Sequence, residues 1–246
     1  MNTSLLLLVI LVEAEGRTSG VWRTLLELGR REPQGWTLIG AQMVALHAFE
    51  HGRMPPRASL DGDVLVDVRL LRNGTSRISR VLTEMGFELT EITTDERGHR
   101  FQNGGVLIDV LAPDGLGDRT ALTTIPPAHT IPVPGGSQAL ERTEWVEVRL
   151  GWEDAGLLPR PNLLGALLIK SRAVDVDDAP DNQRRDVALL LSLIQDPRAI
   201  AQQLRPGERG PLQRRADDML DPRHPAWIGI TGAEDARRAL RILTQT

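Results

Sequence analysis

The 246 residues contain no cysteine and no tyrosine, and aromatic side chains make up only 3% of the chain. Without cysteine there is no disulfide framework, no thiolate metal site and no cysteine nucleophile. So few aromatics disfavour a platform on which nucleobases stack. Long apolar runs are missing too. The longest, Leu5 to Val12, spans eight residues, whereas a membrane-spanning helix needs roughly 18 to 20. No Lys or Arg precedes it, as a signal peptide would require. The expectation is a soluble, cytoplasmic protein with no membrane partner. The formal charge of −4 provides no global attraction to nucleic acid and leaves only local basic patches for that purpose.

Lysine is the remaining scarcity. Of 29 basic residues, 28 are arginine and one, Lys170, is lysine. The two are interchangeable on a solvated surface, but not where a compact point charge must meet phosphate or carboxylate. Lys170 is therefore either a chance survivor or a functional ammonium.

What is present is an ordinary globular balance, 41% hydrophobic and 25% charged, enough for one large domain or two small ones. Helical spacing runs through residues 20–31 and a short strand covers Trp36 to Ile39. Gly40 and Ala41 then open a helix that stops at Gly52 and the Pro55, Pro56 pair. Asp61 to Arg69 alternates at period two, with Gly62, Val64, Val66 and Val68 on one face and acids on the other. A helix follows from about Thr75 to Gly86, then strands over Phe87 to Thr93, His99 to Gln102 and Val106 to Leu111, the last two joined by a Gly104-Gly105 turn. Pro113 to Gly136, rich in Pro and Gly, reads as an extended crossover or a domain boundary. After a strand at Trp145 to Leu150 the chain reads as helical to its end, over about 162–174, 183–195, 197–204, 211–220 and 232–244. The expected organisation is an α+β part, residues 1–150, followed by a helical domain, residues 151–246.

Asp61 and Asp63 are two apart on a strand, so their carboxylates share a face and can share a divalent cation. Asp109, in the apolar strand Val106 to Val110, joins them if the two strands are neighbours. An all-oxygen set suits Mg²⁺ or Mn²⁺; the alternative is a polar turn and a solvated Asp109. Lys170 falls inside an apolar arc of roughly 100° that runs from Ala166 to Leu167 on its helix. There it needs either a partner such as Asp186 or an outward-reaching amine. A rival pattern, His47-Ala48-Phe49-Glu50-His51, has the spacing of one zinc peptidase class. It lacks a third ligand, and its alternative is a helix whose histidines cap its end.

The order of parts resembles the nucleotidyltransferase superfamily of the polymerase-beta type, and within it the AbiEii-type nucleotidyltransferase toxins. The parts that carry the resemblance are a strand into Gly40-Ala41 and a helix, then Arg57-Ala58-Ser59-Leu60-Asp61-Gly62-Asp63, the lone Asp109 strand, Lys170, and Asp186 after Arg184-Arg185. It covers about residues 36–195. The resemblance implies a nucleotidyltransferase-like mixed sheet with flanking helices. It also implies transfer of a nucleoside monophosphate from an NTP to an acceptor hydroxyl. Asp61 and Asp63 would hold two Mg²⁺ ions, with Asp109 completing the metal ligands and also a candidate base, and Lys170, oriented by Asp186, would face the triphosphate. Gly40, Ala41, Arg57 and Ser59 would contact the nucleotide. A tRNA end as acceptor and an antitoxin as protein partner belong to the same implication. The superfamily usually has Gly-Gly or Gly-Ser where this chain has Gly40-Ala41, so the tight turn is kept and a phosphate-binding hydroxyl is lost. A degenerate, non-catalytic module that binds nucleotide or protein therefore stays open. An RNA acceptor would also need some of the arginine clusters (Arg72, Arg77 and Arg80; Arg184 and Arg185; Arg214 and Arg215; Arg237, Arg238 and Arg241) gathered on one side.

Overall fold

Burial alternates along Val9–Val12, with Ile10 and Val12 in the core and Val9 and Leu11 exposed, and this segment is strand β1. The computed structural model describes residues 9–12, 16–117, 120–152 and 154–245, so residues 5–8 of the first apolar run lie outside the described residues. The chain continues through helix α1 (Gly16–Arg31), strand β2 (Trp36–Ile39), helix α2 (Gly40–Glu50), strand β3 (Asp61–Val66), helix α3 (Gly74–Glu84) and strands β4 (Glu88–Leu89), β5 (Arg100–Asn103), β6 (Val106–Pro113) and β7 (Pro132–Val133). Helix α4 (Gly136–Glu141) leads to strands β8 (Thr143–Leu150) and β9 (Asp154–Pro161). Helices α5 (Leu163–Ala173), α6 (Pro180–Ser192), α7 (Pro197–Gln202), α8 (Arg209–Met219) and α9 (Ala233–Thr244) complete it.

The result is an α+β fold with a mixed sheet and flanking helices. The larger sheet has the order β2-β3-β6-β5-β4, with β7 added alongside β6; β3 and β6 are parallel and the other neighbours on that path antiparallel. The smaller sheet is β1-β8-β9. The two approach where β2 lies against β9, and α1 packs on both. Among the described residues no helix is long and apolar enough to cross a membrane.

Local chemistry sets the boundaries. Strand β3 ends at Val66, not Arg69, because the Asp67 carboxylate accepts hydrogen bonds from the Arg69 and Leu70 amides and turns the chain. Helix α5 starts where the Asn162 side chain accepts from the Gly165 amide at 3.0 Å, and Pro180 opens α6 three residues ahead of its expected start. The expected strand over Phe87 to Thr93 shrinks to β4, because Thr93 instead closes a polar turn with Asp95 and Arg97.

Two corrections concern the middle of the chain. Pro113 to Gly136, of which residues 118 and 119 lie outside the described set, is no loose boundary. It is fastened along β6 by Thr130 Oγ1 donating to the Val110 carbonyl and by the Ala112 amide donating to the Ile131 carbonyl. Strand β9, expected as part of the helical half, forms a hairpin with β8 across position 150, so the all-helical part begins at Leu163. Pro159 and Pro161 are two apart, and both fall in the phase of the ladder that need not donate to β8.

Helix α1 approaches β9 closely enough that a Cβ built at Gly29 would stand 2.7 Å from the Leu157 carbonyl oxygen. Gly to Ala inside a helix normally stabilises by about 1 kcal/mol. Here a backbone atom blocks the methyl, so Gly29→Ala is expected to lower the urea midpoint. A raised midpoint would show that α1 and β9 are not in this contact.

Candidate active site

The site grows from the end of β2. Gly40, the first residue of α2, has φ +70°, and a Cβ there would overlap the Asp63 carboxylate. Glycine is needed on both counts: for the backbone conformation and for the room the carboxylate occupies. The loop after α2 returns Arg57 and Ser59 to the same place. Gln42 Nε2 donates to the Ser59 carbonyl at 3.0 Å, and the Ser59 hydroxyl donates to the Asp61 carboxylate.

Strand pairing then sets a row. Asp63 is the register partner of Asp109 across the parallel β3–β6 pair, and Asp109 is the register partner of Arg100 across the antiparallel β6–β5 pair. Register partners point to the same face, so carboxylate, carboxylate and guanidinium stand side by side, with Asp61 two residues along β3. Arg100 takes both oxygens of Asp109, Nε to Oδ1 at 2.8 Å and Nη2 to Oδ2 at 2.7 Å. Burial, together with the charges of Asp61 and Asp109, pushes the Asp63 carboxyl up to about 7, against the opposing pull of Lys170 and Arg100.

The helical half supplies the opposite wall. Lys170 and Asp186 are 4% and 1% exposed, with Nζ 2.9 Å from Oδ2. The ammonium is not aligned to donate to that oxygen; its hydrogen bond goes to Gln183 Oε1 at 2.8 Å. Gln183 Nε2 in turn donates to Asp177 at 2.7 Å. Arg57 Nη2 lies 3.6 Å from the same Asp186 oxygen, which ties the loop to α6. Together these groups line a cleft of about 430 Å³, with Ile131 to Pro134 and Ile169 as its apolar wall.

The nine residues that the resemblance assigns to the site therefore meet around this cleft, Ser59 and Asp186 through the partners just described. Three were missed. Arg100 was legible in principle, since counting outward from the Gly104-Gly105 turn pairs it with Asp109. Gln183 sits three residues before Asp186 on the same helical face. His99 lines the cleft beside Arg100, its imidazole held below the ordinary value by burial and by the Arg100 charge, against Asp109.

Two carboxylates on one strand face, backed by a third, are a donor set that fits a hard divalent cation. Asp61 and Asp63 meet that description. Asp109 as placed is committed to Arg100, and among the described residues no three acidic or histidine side chains form a closed metal cage. The expected three-carboxylate ligand set is thus gathered but not assembled.

The His-x-x-Glu-His segment has another use. His47 is buried, with Nε2 donating to the Pro161 carbonyl at 3.0 Å and Nδ1 3.7 Å from Glu50. His51 Nδ1 bonds to the His47 carbonyl at 2.9 Å and so caps the helix end. The arginine clusters are mostly paired locally: Arg77 with Glu32, Arg80 with Glu84, Arg184 with Asp181 and Asp218, Arg214 and Arg215 with Asp175, and Arg238 with Glu234 and Asp235. Compared with family models, curated proteins and solved structures, the chain finds no match.

Burial lowers the His47 imidazole to about 4, against the pull of Glu50. Between that value and the ordinary 6.5 the unfolded chain binds the extra proton and the folded chain does not. Stability therefore falls as pH drops from 6.5 toward 4. In His47→Gln, which keeps a donor for Pro161, that part of the acid sensitivity should disappear. Parallel pH profiles of urea midpoints for the two proteins would refute the burial argument.

Proposed function

We propose that the chain is a nucleotidyltransferase of the polymerase-beta type, using Mg²⁺ or Mn²⁺ to move a nucleoside monophosphate from an NTP to an acceptor hydroxyl. The observation that carries this reading is the acidic row, Asp61, Asp63 and Asp109, facing Lys170 across one cleft. A bound divalent cation would supply charge neutralisation and Lewis-acid polarisation of phosphate oxygens, with Asp61 and Asp63 holding it. In the reaction the acceptor oxygen bonds to the α-phosphorus and the bond to the bridging oxygen breaks. Pyrophosphate leaves with that electron pair, and the hydroxyl proton passes to a carboxylate of the acidic row.

In this reading the chain's own groups position and neutralise. Lys170, pre-aimed by Gln183 and Asp186, offers a point charge to the triphosphate. Arg57 and Ser59 steady the loop over the nucleotide, and the start of α2 at Gly40 and Ala41 offers backbone amides to a phosphate. The resemblance extends the proposal to a tRNA end as acceptor and to an antitoxin as protein partner. A second reading, a nucleotide-binding module without turnover, is favoured by one observation: Arg100 occupies both oxygens of Asp109.

Incubation with each α-labelled NTP, Mg²⁺ and total tRNA separates these readings. Label on RNA supports transfer to that acceptor, while pyrophosphate release without labelled RNA supports another acceptor. Nucleotide binding with neither selects the module. Asp63→Asn should abolish the Mg²⁺-dependent gain in NTP affinity seen by calorimetry while leaving the fold intact; equal gains in both proteins would reduce the acidic pair to a turn.

Lys170→Arg tests the other wall. The ammonium fits between Gln183 and Asp186 with almost no exposure, and a guanidinium is broader, so turnover should fall on the order of tenfold or more with the charge kept. Initial rates near those of the wild type, with the circular dichroism unchanged, would mean that the amine only needs to reach solvent.

A further inference from the structure

The Arg100–Asp109 pair is built into the sheet. The two residues are register partners on adjacent strands, and Asp109 has Asp63 as its partner on the other side. The guanidinium meets the carboxylate through two parallel hydrogen bonds, the strongest form of this pairing. The Asp109 side chain is 7% exposed, so little water is at hand to solvate its charge if Arg100 leaves. The guanidinium uses one lone pair on each Asp109 oxygen, so a divalent cation bridging Asp63 and Asp109 would have to bind directly beside it, two positive charges in a half-buried corner.

We infer that Arg100 is a fixed cation standing in for one of two metal ions, so that the site takes a single divalent cation on Asp61 and Asp63. Asp109 is then the anchor of Arg100 and not a metal ligand. The inference rests on the nucleotidyltransferase reading for the identity of the site, and on the strand register for the number of ions. Unlike an exchangeable metal, the guanidinium is always charged and covalently fixed. Its Nη1 takes no part in the Asp109 pair, and the side chain is 45% exposed at the cleft. That leaves a donor for a phosphate oxygen of the substrate.

Titration of the full chain with Mn²⁺ alone, with free Mn²⁺ read by electron paramagnetic resonance, counts the ions directly. The wild type should bind about one per chain and Arg100→Gln about two. Asp109→Asn should still bind about one, with an affinity within about threefold of the wild type. Two ions on the wild type overturn the inference while leaving the transferase reading intact. A single ion on Arg100→Gln overturns it as well, since something other than Arg100 then sets the count. Lost binding in folded Asp109→Asn makes Asp109 a ligand and has the same consequence. No Mn²⁺ on any of the three proteins removes the metal site, and the transferase reading with it.

Discussion

Three carboxylates held in one corner of a sheet repel one another, and much of this structure is arranged to offset that repulsion. Strand register makes the crowding unavoidable, because Asp63 and Asp109 are partners and Asp61 shares their face. The compensating charges come from two separate parts of the chain, Arg100 from β5 and Lys170 from α5, while Arg57, from the loop after α2, lies against Asp186. Arg100 is near Asp109 only through the β5–β6 hairpin, and Lys170 is remote in sequence from all three acids. Asp63 carries the uncompensated part: burial first, and then the charges of Asp61 and Asp109, push its carboxyl up to about 7. A half-compensated acidic site of this kind is poised for an added cation, and the helical half must dock before its share of the countercharge is in place.

Much of this was legible because both periodicities were clean. Period-two alternation put Asp61 and Asp63 on one face, and the 100° wheel put Lys170 inside an apolar arc, where the structure buries it. Arg100 escaped notice because an arginine on a short polar strand looks like any solvated residue; only the hairpin register shows that it faces Asp109. Strand β9 was not legible at all. Its two prolines argue against a strand until the partner is known, and the partner, β8, shows which phase of the ladder they occupy. The links of Asp186 to Lys170 and Arg57, and of Lys170 to Gln183, are tertiary facts that no local pattern encodes.

The buried polar group at the other end of α2 shows how a motif can mislead. His47 and Glu50 look like half of a metal site in one dimension. In three, they meet Arg160, a fully buried arginine on β9 whose Nη2 donates to Glu50 and, at 3.3 Å, to Glu144 on β8. Although burial alone would raise the Glu50 carboxyl, the buried Arg160 guanidinium that donates to it holds it near 2, with the His47 ring 3.7 Å away. This network pins the C-terminal end of α2 to the smaller sheet, and the same helix carries Gly40, under the Asp63 carboxylate, at its other end. Placement of the acidic row is thus coupled to a region that contributes nothing to the cleft.

The single lysine has a consequence of another kind. Within these 246 residues a lysine-specific protease has one peptide bond to cut, the bond after Lys170. That bond lies inside α5, whose residues from Leu164 to Ser171 are all buried. Proteolysis needs a locally extended backbone, so the cut can occur only in molecules whose α5 has opened. The chain therefore carries its own reporter: two fragments appear at a rate set by how often α5 opens, and a ligand that bridges the cleft lowers the logarithm of that rate in proportion to the free energy with which it stabilises the closed helix.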